Sequence, residues 1–192
     1  GDGRLNAVKL TVPPVGASFL DCPVETDLDR LQADFAVVGV PFGVPYTMEG
    51  YVPASSRAPQ AIRQRSKRYG AFRNHYDFDR GGEMLPAGVR LVDVGDVAAD
   101  PRDLEGNRRR ATEVVKKILD KGAVPIVLGG DDSTSIFAFR AYEGHGPITL
   151  VQIDAHIDYR DEVAGERWGY SSPMRRAAEM PWFTKIIHVG TR

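Results

Sequence analysis

Short apolar runs alternate along this chain with longer segments of helical period. Ala33–Val40 is apolar apart from Asp34 and predicts a first strand. Arg90–Val94, Val124–Leu128, Ile148–Ile153 and Thr184–Val189 predict further strands. Uncharged β-branched runs of this length read as strands buried on both faces, as in a parallel sheet. Between them lie segments with a helical pattern. Ala58–Tyr69 is basic and carries Pro59 in its first turn. Leu104–Lys121 places Val114, Val115, Ile118 and Leu119 on one face and closes with lysines and Gly122, a helix-ending signal. Ser133–Glu143 has the length of a crossover helix, and Ser172–Glu179 begins with Ser172 at an N-cap and Pro173 behind it. Strand and helix alternate throughout, which predicts an α/β domain with right-handed crossovers over residues 33–192. Residues 1–32 lack periodicity and read as an irregular arm, suited to packing on a neighbouring subunit. The segments 41–59 and 74–90 read as a long loop and a turn-rich connection.

The chemistry concentrates at two strand ends. Val124–Leu128, Ser133–Glu143 and Ile148–Ile153 form a βαβ unit whose strands point the same way. Their carboxyl ends carry Asp131, Asp132, Asp154, His156, Asp158 and Asp161, at the edge where open α/β sheets collect ligands. Carboxylates gathered this closely repel one another unless cations neutralise them. Asp154, His156 and Asp158 stand at i, i+2 and i+4, so in an extended segment their side chains leave the same face. Oxygen and imidazole donors of this kind suit manganese, nickel, cobalt or zinc. The number of acidic groups favours a pair of metals, which at roughly 3.5–4 Å separation share a water and lower its pKa. For Asp131 and Asp132 the competing role is capping the next helix with Ser133. His75-Tyr76-Asp77-Phe78-Asp79 repeats the alternating spacing but follows no apolar strand, and its aromatic rings are expected to pack under the loop.

Composition changes this picture little. With 192 residues, 42% hydrophobic positions and a net charge of -1, the chain is long enough for a large core. The near-neutral balance gives no electrostatic reason to expect nucleic acid or an acidic membrane as partner. No apolar run approaches a membrane span, and the polar N-terminus does not look like a signal peptide. The single cysteine, Cys22, fits a reducing cytoplasm.

Gly129-Gly130-Asp131-Asp132-Ser133 together with Asp154-Ala155-His156-Ile157-Asp158 resembles the ureohydrolase family of arginases, agmatinases and guanidino-acid hydrolases. Gly39-Val40-Pro41-Phe42, Ala58–Ser66, Asp93–Val97, Ser172–Ala177 and His188-Val189-Gly190 look like the family's successive strands and helices. The resemblance runs in order from Asp34 onward and looks closest to agmatinase-like members. It implies a three-layer α/β/α sandwich with a mainly parallel sheet, and metal-dependent hydrolysis of a guanidino compound to urea and an amine. Asp132, Asp154, His156 and Asp158 would hold two manganese ions, with nickel as the alternative, and a metal-bound hydroxide would attack the guanidinium carbon. Asp158 and Tyr170 are the catalytic candidates and Asp161 an outer support. Arg160, Glu162 and Arg167 are candidates for reading the far end of the substrate. The resemblance also implies a homo-oligomer, a trimer or hexamer.

Three departures bear on that reading. Asp132 stands where the family motif has histidine, and Tyr170-Ser171-Ser172-Pro173 where many members place a proton-shuttling histidine. The family's later Asp-x-Asp pair does not occur before Arg192, so the chain is expected to be the N-terminal part of a longer protein. The rivals are a non-catalytic subunit of a ureohydrolase-like assembly and another two-metal hydrolase acting on an amide or phosphate ester.

Overall fold

A computed structural model describes residues 9–46, 50 and 53–192. The elements in chain order are β1 (Thr11–Val12), β2 (Phe35–Gly39), α1 (Ala58–Gly70), β3 (Tyr76–Asp77), β4 (Gly82–Glu83), β5 (Leu91–Val97), α2 (Leu104–Asp120), β6 (Val124–Leu128), α3 (Thr134–Arg140), β7 (Ile148–Ile153), α4 (Pro173–Ala178) and β8 (Phe183–Val189). Contacts group them into two units, one of residues up to Gly39 with Gln60–Ile126, the other of Val40–Pro59 with Val127–Arg192. The strand-and-helix alternation read from the sequence is present, with boundaries shifted by a few residues. Residues 47–49 and 51–52 of the expected loop, and residues 1–8 of the expected arm, lie outside the described residues.

The first unit is built on a sheet ordered β1, β5, β2, β6. β5 runs parallel to β2, with Phe35 opposite Leu91 and a register shift between Val37 and Gly39. On its other edge β5 takes β1 antiparallel, Thr11 opposite Val97. Residues 9–32 of the expected arm therefore pack on this sheet. Strand β1 extends the sheet, Val24 bridges to Asp93, and Cys22, Leu28 and Leu31 are buried. The pattern hid this because a two-residue strand has no period to detect. Gly95 explains the close approach: at φ 83° it is left-handed, and a Cβ there would strike the Val12 carbonyl. Helix α2 starts with the Asp103 carboxylate accepting the Gly106 N–H (2.9 Å) and stops before Gly122 at φ 75°. It buries Ala111, Val114, Val115 and Ile118, and the larger of these contribute about 1.5–3 kcal/mol each. Tyr76 and Phe78 do not pack under their loop. Both are exposed and meet edge to face, ring centroids 5.1 Å apart.

From α1 the Arg63 side chain is fully buried. Its Nε and Nη2 donate to the two oxygens of Asp93 at 2.9 and 3.0 Å, Nη2 also donates to Gly95 O, and Nη1 pairs with Asp96. Asp93 further accepts the N–H groups of Phe19 and Gly95, both at 2.9 Å. Every charge here is met by an opposite charge or an amide, which is what allows the pair to be dry.

In the second unit, β7 and β8 pair in parallel in a sheet of their own, with Leu150 opposite Ile186 and Gln152 opposite His188. Among the described residues, the strand that supplies β7 with backbone partners is β8. Strand β7 is not buried on both faces. Ile148, Leu150 and Gln152 are half-buried, whereas Thr149, Val151 and Ile153 are exposed. Helices α3 and α4 supply Ile136, Phe137, Met174 and Ala177 to the core of this unit, where Phe139 meets Phe183 edge to face at 5.3 Å.

Candidate metal centre

The turn after β6 separates its two aspartates by role. Asp131 Oδ1 accepts the Ser133 N–H at 3.0 Å and pairs with the Ser133 hydroxyl, while the Asp131 carbonyl accepts from Thr134 N (3.1 Å) and Thr134 Oγ1 (2.9 Å). Asp131 thus shapes the entry to α3, which is why that helix begins at Thr134 rather than Ser133. Gly43 lies against the Asp131 carboxylate, and any side chain there would strike it. Asp132 is left to face the other acids. Its carboxyl is pushed above the ordinary range by burial first, then by the charges of Asp154 and Asp131.

Asp154, His156 and Asp158 each offer a donor atom, and the three atoms lie within 4.8 Å of one another. The mechanism of convergence differs from the extended alternation inferred from spacing. Asp154 Oδ1 accepts the His156 N–H at 2.7 Å, folding the chain into a tight turn, and its imidazole Nδ1 lies 3.4 Å from the same oxygen. Asp158 then takes a left-handed backbone at φ 46°, which short polar side chains tolerate better than most. Its carbonyl accepts the N–H groups of Met174 (3.1 Å) and Arg175 (3.3 Å). This caps α4 in place of Ser172, whose side chain makes no cap bond and is buried without a partner.

The electrostatics are those of carboxylates short of positive charge. Asp158 is pushed up to about 6, by burial first and then by Asp154 and Asp132, with His156 and the Gln152 amide opposing. Three acids and one imidazole with no Lys or Arg among the causes of these shifts form a donor set that a divalent cation fits. The surrounding cleft, about 1010 Å³, is lined by Asp132, His156, Asp158, Arg160, Tyr170 and Arg192, among others.

Other candidates are placed apart from this group. Tyr170 lines the cleft with its ring centroid 4.4 Å from that of Tyr46, whose hydroxyl accepts the Ser171 N–H (3.2 Å). Asp161 does not line the cleft. It is held by Arg176 (2.6 Å) and Arg167 (3.3 Å), which also pair with Glu179. These arginines pull its carboxyl below the usual range. Arg160 lines the cleft, whereas Glu162 does not and Arg167 is engaged with Asp161. His75 stacks edge to face on Phe72 and joins no donor cluster among the described residues. Sequence reasoning missed Gln152, His188, Tyr46 and the buried Arg176. The one available signal was the amide of Gln152 on the strand face it shares with Ile148 and Leu150.

The arginase family model matches residues 33–192, and the chain belongs to that family. It is 35% identical over 186 residues to a mitochondrial agmatinase of Gallus gallus, covering 93% of this chain and 51% of that protein. It is 30% identical over 183 residues to a mitochondrial guanidino acid hydrolase of Homo sapiens, covering 93% and 49%. Among solved structures, the proclavaminate amidino hydrolase of Streptomyces clavuligerus superposes with a TM-score of 0.76 at 26% identity, covering 97% of this chain and 58% of that one. The chain spans about half the length of the relatives it matches. Among the described residues, no helix is long and apolar enough to cross a membrane.

Proposed function

We propose that this chain carries part of a metal-dependent hydrolytic site that cleaves a guanidino compound, agmatine-like in class, to urea and an amine. The observation that carries the reading is the convergence of Asp154, His156 and Asp158 within 4.8 Å, with Asp132 close enough to feel the Asp154 charge. These residues would hold divalent cations, manganese suiting their oxygen-rich donor set and nickel the imidazole. When bound, the cations would supply Lewis acidity and a water of lowered pKa. The residues themselves do the rest. The acidic wall of the cleft attracts a guanidinium, which is planar and cationic. Asp158 would take a proton as water adds to the guanidinium carbon and return it to the leaving amine. Tyr170 donates a hydrogen bond from the cleft wall. An assembly of identical chains in the cytoplasm belongs to the same proposal.

The test is urea release by the full-length protein, supplied with Mn or Ni, against agmatine, arginine, guanidinobutyrate and simpler guanidines. Urea from at least one of them, lost in Asp154→Ala and His156→Ala, is the expected result. No urea from any guanidine would overturn the catalytic reading. It would favour the alternative that Asp132, in the histidine position of the family motif, marks a non-catalytic subunit.

A further inference from the structure

We infer that Gln152 and His188 are positioning residues for Asp158, forming a hydrogen-bonded chain that fixes which carboxylate oxygen Asp158 presents to a cation. This inference rests on Asp158 being a cation ligand.

The parallel register of β7 and β8 places Gln152 directly opposite His188, so both side chains leave the same face of the sheet. Gln152 Nε2 donates to Asp158 Oδ2 at 3.0 Å. The other end of the same amide, Oε1, lies 2.6 Å from His188 Nδ1. An amide that donates through its nitrogen turns its carbonyl to the neighbour. His188 Nδ1 therefore carries the proton and donates to it. The chain runs one way, from imidazole to amide to carboxylate. Gln152 cannot flip without losing both bonds, because a flipped amide would set its oxygen against the carboxylate.

The backbone of Asp158 is already tied to α4 through its carbonyl. What remains free is rotation of the carboxyl group, and the Gln152 bond removes it by engaging Oδ2. Oδ1 is then the oxygen that Asp158 has left to offer a cation. Hydrogen-bonded support of ligating carboxylates is a general feature of metal sites, and its loss costs about 10–100-fold in affinity. On the half-buried face of β7, where its companions are Ile148 and Leu150, a glutamine has no packing advantage over an aliphatic residue. The amide is explained by what it holds at each end.

Calorimetric titration of the full-length protein with Mn2+ tests this, alongside thermal melts of the cation-free variants. Gln152→Met keeps the volume and removes both bonds, and is expected to bind Mn2+ about 10–100-fold more weakly than wild type. His188 is exposed in this chain, and the melts report whether its replacement alters folding. His188→Leu should lower affinity several-fold, while His188→Gln, which still offers an N–H, should restore it. Unchanged affinity in both Gln152→Met and His188→Leu would overturn the inference. Equal loss in His188→Leu and His188→Gln would overturn it as well, since a donor would then not matter. Wild type that binds no Mn2+, indistinguishable from Asp158→Ala, would instead sink the cation-ligand reading and this inference with it.

Discussion

The carbonyl of Asp158 accepts the N–H of Met174 at 3.1 Å, so a candidate ligand residue is also the cap of the helix behind it. One residue thus performs two separable tasks, a backbone task set by φ 46° and a side-chain task set by charge. Asp158→Asn is expected to keep the first and lose the second, because asparagine also tolerates the left-handed region. Its cation-free melting temperature at neutral pH should match or exceed wild type, with Mn2+ affinity reduced at least tenfold. Asp158→Val, β-branched and strained there, should cost about 1–3 kcal/mol of stability in addition. Paired melts and titrations separate the two effects.

The pH dependence follows from the raised carboxyl of Asp158. Its folded value of about 6 lies above the ordinary 3.8, so the folded state binds the proton more tightly than the unfolded chain does. That contribution to stability is fully present below about 3.8 and is lost as pH rises through about 6. In cation-free protein, the stability difference between wild type and Asp158→Asn should therefore move against wild type between pH 4 and 6.5, as read from urea unfolding. Protons compete with the cation for the same oxygens, so Mn2+ affinity should fall as pH drops below about 6.

Arg63 and Asp93 make the corresponding prediction for the other unit. Removing one member of a dry, fully satisfied pair strands the other. Arg63→Ala is expected to lose about 3–5 kcal/mol in denaturant unfolding. Arg63→Lys should recover little of it, because an ammonium cannot reproduce the two-point contact with Asp93 and the added bonds to Gly95 and Asp96.

Asp132 departs from the family motif, and reverting it is informative. Asp132→His replaces an acid that burial and its neighbours already oppose with a neutral donor. Retained or tighter binding is expected, with preference shifted from Mn2+ toward Zn2+ or Ni2+. Competition titrations of the metals measure it. Asp132→Ala should bind fewer cations per chain than wild type.

Much of this was legible in the residue pattern, for reasons that are physical. Helix α2 could be bounded closely because Asp103, Gly122 and the apolar stripe Val114–Ile118 act locally. Asp154, His156 and Asp158 could be named because no other stretch joins an apolar run to this donor spacing. How they converge was not legible, since it depends on the Asp154 side chain folding the backbone back and on a left-handed Asp158. The split between Asp131 and Asp132 was open in sequence because either can cap, and the Ser133 and Thr134 bonds give the turn-shaping role to Asp131. The link from His188 to Gln152 was invisible because it arises from strand register between positions 36 apart. The β1 edge was hidden because a two-residue strand has no period to detect.

The most direct measurement is the number and affinity of Mn2+ ions bound by the full-length protein, wild type beside Asp154→Ala and His156→Ala. Stoichiometric binding is expected in wild type, weakened at least tenfold by both substitutions. Binding unaffected by either, or no binding by wild type at any pH above 6.5, would contradict it.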